Sequence, residues 1–205
     1  AGREQGGFET GIQKGLMAIL SSPRFLFRAH TPPQGARPGE TYRISDLELA
    51  TRLSFFLWSS LPDEPLIDLA AAGRLKDPAV LESEVQRMLR DPRARTMVEQ
   101  FTSRWLNVDG LDLVNTDTLL FPDFTDDLIP AFKQELYEFV WSVLGEDRNV
   151  IDLLTGDWTF LNERLALHYD IPGVRGGELR RVQLTEDHRR GLLGKGAILM
   201  TTSYA

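Results

Sequence analysis

Apolar residues recur at helical spacing over Phe8, Ile12, Leu16, Ile19 and Leu20. Pro23 then breaks the run before Phe25, Leu26 and Phe27, because its ring cannot continue a helix. Prolines and glycines crowd residues 31–39, which predicts a loop and the best internal boundary. Ser45 followed by Glu48 is a capping-box pattern, with Ile44 placed to staple onto Leu49, so a helix is expected over 46–59. After Pro62 and Pro65 a short helix runs over 66–72 and ends near Gly73. Asp77-Pro78 and Asp91-Pro92 each put a capping carboxylate before a proline at the first helical position, predicting helices over 78–89 and 92–106. No steady period marks 107–122. Leu128, Phe132, Leu136, Phe139, Val140 and Val143 form one stripe, which predicts a long amphipathic helix over 125–144, bent at Pro130. Short helices are expected at 150–154 and from the cap Asn162 to His168. A lone strand is expected at 179–184, and a last helix over 185–200 despite Gly191, Gly194 and Gly196.

This pattern is all-α: an irregular multi-helix bundle with one short strand. It divides into residues 1–30 as the end of an upstream helical module, 40–145 as a central helical module, and 146–205 as the start of a truncated C-terminal module. Among 205 residues, hydrophobic side chains make up 42% and charged ones 26%, the balance of a chain able to bury a core. A net charge of −7 argues against a nucleic-acid partner, because phosphate binding relies on basic patches, so none is expected. Cysteine is absent, which removes disulfides, thiolate metal sites, cysteine nucleophiles and covalent haem attachment within these residues. The longest apolar runs, such as Phe55 to Trp58, fall far short of the roughly 20 residues of a membrane span.

Each candidate for chemistry has a plainer reading. Gly191, Gly194 and Gly196 around Lys195 resemble a phosphate loop but lack its spacing and its Ser or Thr after the lysine, so close helix approach is the favoured role. His30, His168 and His188 stand far apart, with no metal-ligand spacing among them; His168 reads as a capping or packing residue and His188 as exposed. Glu135 and Glu138 share a helix face as paired carboxylates would, yet neither has a histidine three residues on, and a solvated face is favoured. The hydroxyls of Ser21-Ser22, Ser59-Ser60 and Thr201-Thr202-Ser203 lie in no nucleophile motif. Trp58, Trp105, Trp141 and Trp158 read as core, and Arg24, Arg28, Arg43 and Arg52, flanking the first two helices, as buried bidentate arginines paired with acids there. No catalytic residue and no metal ligand is assigned.

Four segments together carry a resemblance: Phe8 to Arg28 (FETGIQKGLMAILSSPRFLFR), Leu49 to Asp63 (LATRLSFFLWSSLPD), Phe160 to Tyr169 (FLNERLALHY) and Arg190 to Tyr204 (RGLLGKGAILMTTSY). They resemble successive modules of the planctomycete-type cytochrome-associated bacterial proteins, whose consecutive helical domains have no known function. The resemblance implies export to the periplasm or beyond, and a c-type haem in a Cys-x-x-Cys-His module upstream of these residues. It also implies that the chain is a piece of a longer one, since the family pattern continues past Thr-Ser-Tyr. The expected function is a non-catalytic structural or binding module of an exported redox-associated protein, or an accessory subunit of a larger electron-transfer assembly, with a protein partner. The alternative is part of a cytochrome-linked oxidoreductase or polysaccharide-acting enzyme whose active site is completed elsewhere.

Overall fold

Side-chain caps set where most of the central helices begin. The computed structural model of the chain describes residues 7–27, 35–37, 39–114, 116–117 and 119–203. It contains α1 (Gly7–Leu20), α2 (Pro23–Leu26), α3 (Asp46–Trp58), α4 (Glu64–Ala71), α5 (Pro78–Arg90), α6 (Arg95–Trp105), α7 (Leu128–Gly145), α8 (Asp152–Thr155), β1 (Trp158–Leu161), α9 (Glu163–His168), β2 (Arg180–Gln183) and α10 (Gly196–Thr202). Ser45 and Glu48 form the full capping box at α3. Asp63, Asp77 and Asn162 accept from the first-turn amides of α4, α5 and α9, satisfying donors that have no intrahelical partner. Asp91 caps a 3₁₀ turn, Pro92–Ala94, that leads into α6, so the helix expected from 92 starts three residues later.

Two apolar clusters hold the elements from α3 onward. The first gathers Ala50, Leu57 and Trp58 of α3 with Leu66, Ala70, Leu75, Met88 and Ala94. The Trp58 indole there donates to the Met88 carbonyl at 2.9 Å, which keeps its one polar atom satisfied in the core. The second is built on α7, whose Leu128, Phe132, Leu136, Phe139, Val140 and Val143 meet Leu161, Leu165, Leu192, Ala197 and other buried residues. Each fully buried Leu or Phe of this kind contributes about 1.5–3 kcal/mol. Met97 and Trp141 pack against both clusters and join them.

Among the described residues the chain is all-α apart from one small ribbon, and the ribbon corrects one expectation. The strand at 180–183 is not alone: it pairs antiparallel with β1, Trp158 opposite Gln183 and Leu161 opposite Arg180. β1 is only four residues long and three of them are buried, so it shows little of the alternation by which a strand is recognised. The helix expected over 185–200 is also not continuous. It is two 3₁₀ turns, Asp187–Arg189 and Leu192–Gly194, followed by the short α10. Gly191 adopts φ +59°, where a side chain is strained, and a Cβ on it would lie 2.2 Å from the Leu154 carbonyl oxygen. The glycines are therefore close-approach points at a folded-back turn, as well as poor helix formers. Pro130 does not bend α7, because the helix begins at Leu128 and the proline falls in its first turn, where an amide proton has no partner to lose.

The described arginines among those expected to be buried are exposed, and a half-buried one takes the bidentate role. Arg43 is exposed, 3.7 Å from Asp46, and Arg52 is exposed. Arg28 and the side chain of Arg24 lie outside the described residues. Arg87 donates to both oxygens of Asp63 at 2.9 and 3.0 Å and also to Glu84, and Arg93 likewise grips both oxygens of Asp91. The hydroxyls of Ser21, Thr201, Thr202 and Ser203 bond to carbonyls one turn back on their own helices. No helix among the described residues is long and apolar enough to cross a membrane.

Candidate functional site

Glu135 lies seven residues after Leu128, three after Phe132 and four before Phe139, which places it inside the apolar stripe of α7. It is 1% exposed, so the solvated-face expectation fails for it. Its Oε1 accepts from the Thr159 hydroxyl of β1 at 2.5 Å, and its Oε2 accepts from the Tyr169 hydroxyl, just past α9, at 2.5 Å. The Tyr169 oxygen in turn accepts from the Gly196 amide at the start of α10, at 3.0 Å. One carboxylate thereby ties the central helix to a strand and, through Tyr169, to two further helices.

Lys195 completes the cluster and is 0% exposed. Its ammonium donates to the Trp158 carbonyl at 3.2 Å and to the Arg189 carbonyl at 3.5 Å, and it sits 4.3 Å from the centre of the Phe139 ring. Everything around Glu135 is a donor, while Lys195 meets acceptors and an aromatic face. That polarity favours an ionised pair held at a distance, with the burial cost offset by hydrogen bonds and mutual attraction. Burial pushes the Lys195 ammonium down to about 8, against the attraction of Glu135, which holds it up. Burial also raises the Glu135 carboxyl, opposed by Lys195 and the two hydroxyls. The Tyr169 phenol is raised by burial and then by the neighbouring carboxylate. Arg189 roofs the cluster, with its guanidinium 3.8 Å over the Tyr169 ring.

The cluster's chemistry follows from what its atoms already bind. Both Glu135 oxygens are engaged by protein hydroxyls, the Lys195 ammonium faces backbone carbonyls and a ring, and neither side chain reaches solvent. A substrate atom would have to displace core packing to reach either group. The arrangement holds four elements in register. Gly196 is what allows the approach, since a Cβ there would lie 2.4 Å from the Phe132 ring and 2.5 Å from the Tyr169 oxygen.

Of the residues singled out in the sequence, Glu135, Lys195 and Gly196 thus come together. Glu138 does not join them. It turns to Arg95, whose guanidinium also lies 5.4 Å from the Trp141 ring. His168 packs edge-on to Phe132 at 5.4 Å, a packing role, and burial lowers its basicity. His188 is exposed beside Glu186, and His30 lies outside the described residues. Trp58 and Trp158 are buried, but Trp105 is about half exposed and stacks on Phe101. Among the described residues, no three His, Asp or Glu side chains converge in a metal-holding group. Thr159 and Tyr169 went unrecognised because strand pairing and chain reversal, neither visible in local spacing, bring them to Glu135.

A family model described as a protein of unknown function, DUF1592 (PSD4), matches residues 44–171. No curated protein and no solved structure matches the chain.

Proposed function

From the premise that the chain belongs to the DUF1592 family, we propose that it is a non-catalytic helical structural and binding module of an exported, redox-associated protein. Residues 1–30 are then the tail of an upstream helical module. The partner is a protein: a c-type cytochrome module of the same polypeptide, or a larger electron-transfer assembly. The four segments that resemble cytochrome-associated bacterial modules support the redox context and the location in the periplasm or outside the cell.

One observation carries the non-catalytic reading. The titratable side chains that converge in the second core, Glu135, Tyr169 and Lys195, are sealed, and their polar atoms are bonded within the protein. Outside that core, aromatic and aliphatic side chains including Phe56, Phe101, Trp105 and Leu193 are more than half exposed, a surface suited to contact. The test is to express the natural full-length protein with its own export signals and fractionate the cells. Gel filtration then follows haem absorbance against this chain. The proposal expects the chain outside the cytoplasm, co-eluting with haem at fixed stoichiometry. A cytoplasmic chain that elutes free of haem contradicts it.

A further inference from the structure

The surface between α3 and α6 combines an aromatic floor with basic side chains. It is a groove of about 580 Å³ whose lining includes Phe56, Met97, Gln100, Phe101, Arg104 and Trp105. Phe56 is 68% exposed, Phe101 54% and Trp105 51%. The Phe101 and Trp105 rings are stacked, with centroids 5.4 Å apart and planes at 27°, so this part of the floor is already ordered before anything binds. Met97 beneath it packs into both cores, which fixes the floor to the body of the fold.

Arg104 lines this apolar floor, and Arg52 lies one helical turn from Phe56 at its edge. Both are exposed, Arg52 on α3 and Arg104 beside Trp105 on α6. Among the described residues, neither guanidinium has an acidic partner within ion-pair distance. Glu48, one turn before Arg52, is engaged by the Ser45 amide and hydroxyl in the α3 cap. Glu99 faces another side of α6, with Tyr137 and Phe160. In a chain of net charge −7, this is a cationic rim around an aromatic floor. Aromatic residues and arginine are the side chains most enriched at protein interfaces and their energetic centres.

The charge selects the occupant. A second copy across a two-fold axis would bring the same arginines face to face, and two arginines on an acidic chain are too few for a nucleic acid. A groove between two helices with an apolar floor and basic edges fits an amphipathic helix with acidic flanks, apolar anchors one turn apart lying on the floor. Resting on the reading of the chain as a binding module, we propose that the α3–α6 groove docks an acidic amphipathic helix of a partner protein. Its apolar side chains pack on Phe56, Phe101 and Trp105, and its carboxylates pair with Arg52 and Arg104.

The experiment titrates the full chain with two synthetic helical peptides. Both carry leucines at i, i+3, i+4, i+7 and i+11; one has glutamates at the flanking positions and the other lysines. The readout is the Trp105 indole resonance, assigned with a Trp105→Phe variant. The acidic peptide is expected to shift that resonance saturably, and Arg52→Glu/Arg104→Glu to weaken binding by at least about tenfold with an unchanged melting temperature. Phe101→Ala, at an exposed position, is expected to weaken it as well. Equal binding of the lysine peptide, indifference to the arginine variants, or a dimer that buries Trp105 overturns the proposal. The haem co-elution separates it from the broader reading. If the wild type co-elutes with haem but the acidic peptide leaves the Trp105 resonance unmoved, the groove assignment fails and the binding-module reading stands. If the wild type does not co-elute, that reading fails and the peptide titration still decides the groove.

Discussion

Replacing Lys195 with methionine keeps most of the side chain's volume and removes its charge from the centre of the second core. The lost contacts are the hydrogen bonds to the Trp158 and Arg189 carbonyls and the ammonium contact with the Phe139 ring. The larger effect is on what remains. Glu135 keeps its two hydroxyl donors but has no counter-charge inside the core, and a buried charge without its partner destabilises a fold by about 3–5 kcal/mol. Glu135→Gln alone leaves the ammonium unpaired, with a loss of the same order. The double variant carries no net buried charge and should recover a coupling of about 0.5–3 kcal/mol over the sum of the singles. Urea unfolding at pH 7, followed by tryptophan fluorescence with fitted m-values, measures all four corners of this cycle. Single losses under about 1 kcal/mol that simply add in the double variant would refute the clamp.

The same pair makes a pH prediction. The Lys195 ammonium is lowered from 10.5 to about 8 in the folded chain, so between those values the unfolded chain binds more protons and stability from this group rises with pH. The stability difference between wild type and Lys195→Met should therefore grow from pH 8 to pH 10, and a flat or falling difference removes Lys195 as its source. Gly196→Ala drives a methyl into the Phe132 ring and the Tyr169 oxygen, with an expected loss of about 1–3 kcal/mol and a lower melting temperature; an unchanged melting temperature means α10 does not approach α7 this closely. Ser45→Ala removes the acceptor for the Glu48 amide at the start of α3, an expected loss of about 1 kcal/mol in urea unfolding. A loss indistinguishable from zero would show that this cap adds nothing.

What could be read from the sequence was local. Caps written into the chain at Ser45, Asp77 and Asn162 hold in the structure, because each depends on residues within one helical turn. The stripe of α7 was equally legible, and it contained an unused signal: Glu135 keeps step with Leu128, Phe132 and Phe139, a position that should have pointed inward. Lys195 between two glycines carried a weaker one, since small neighbours draw the backbone into the core and take the side chain with it. The partners were not legible. Thr159 meets Glu135 because β1 pairs with a strand some twenty residues away, and Tyr169 meets it because the chain reverses after α9. Broken regularity hid the C-terminal part as well, where Gly191 turns the chain against the Leu154 carbonyl and splits what reads as one helix.

The central claim is that the buried cluster builds the fold while the chain serves by contact. It is tested most directly in the natural full-length protein carrying Glu135→Gln/Lys195→Met, held at a temperature where the variant is folded. Haem co-elution and the rate of electron transfer to and from that haem are measured against wild type. The account predicts wild-type stoichiometry and an unchanged rate. A folded variant that keeps its haem partner but loses turnover would contradict it, because the cluster would then be reacting chemistry and not architecture.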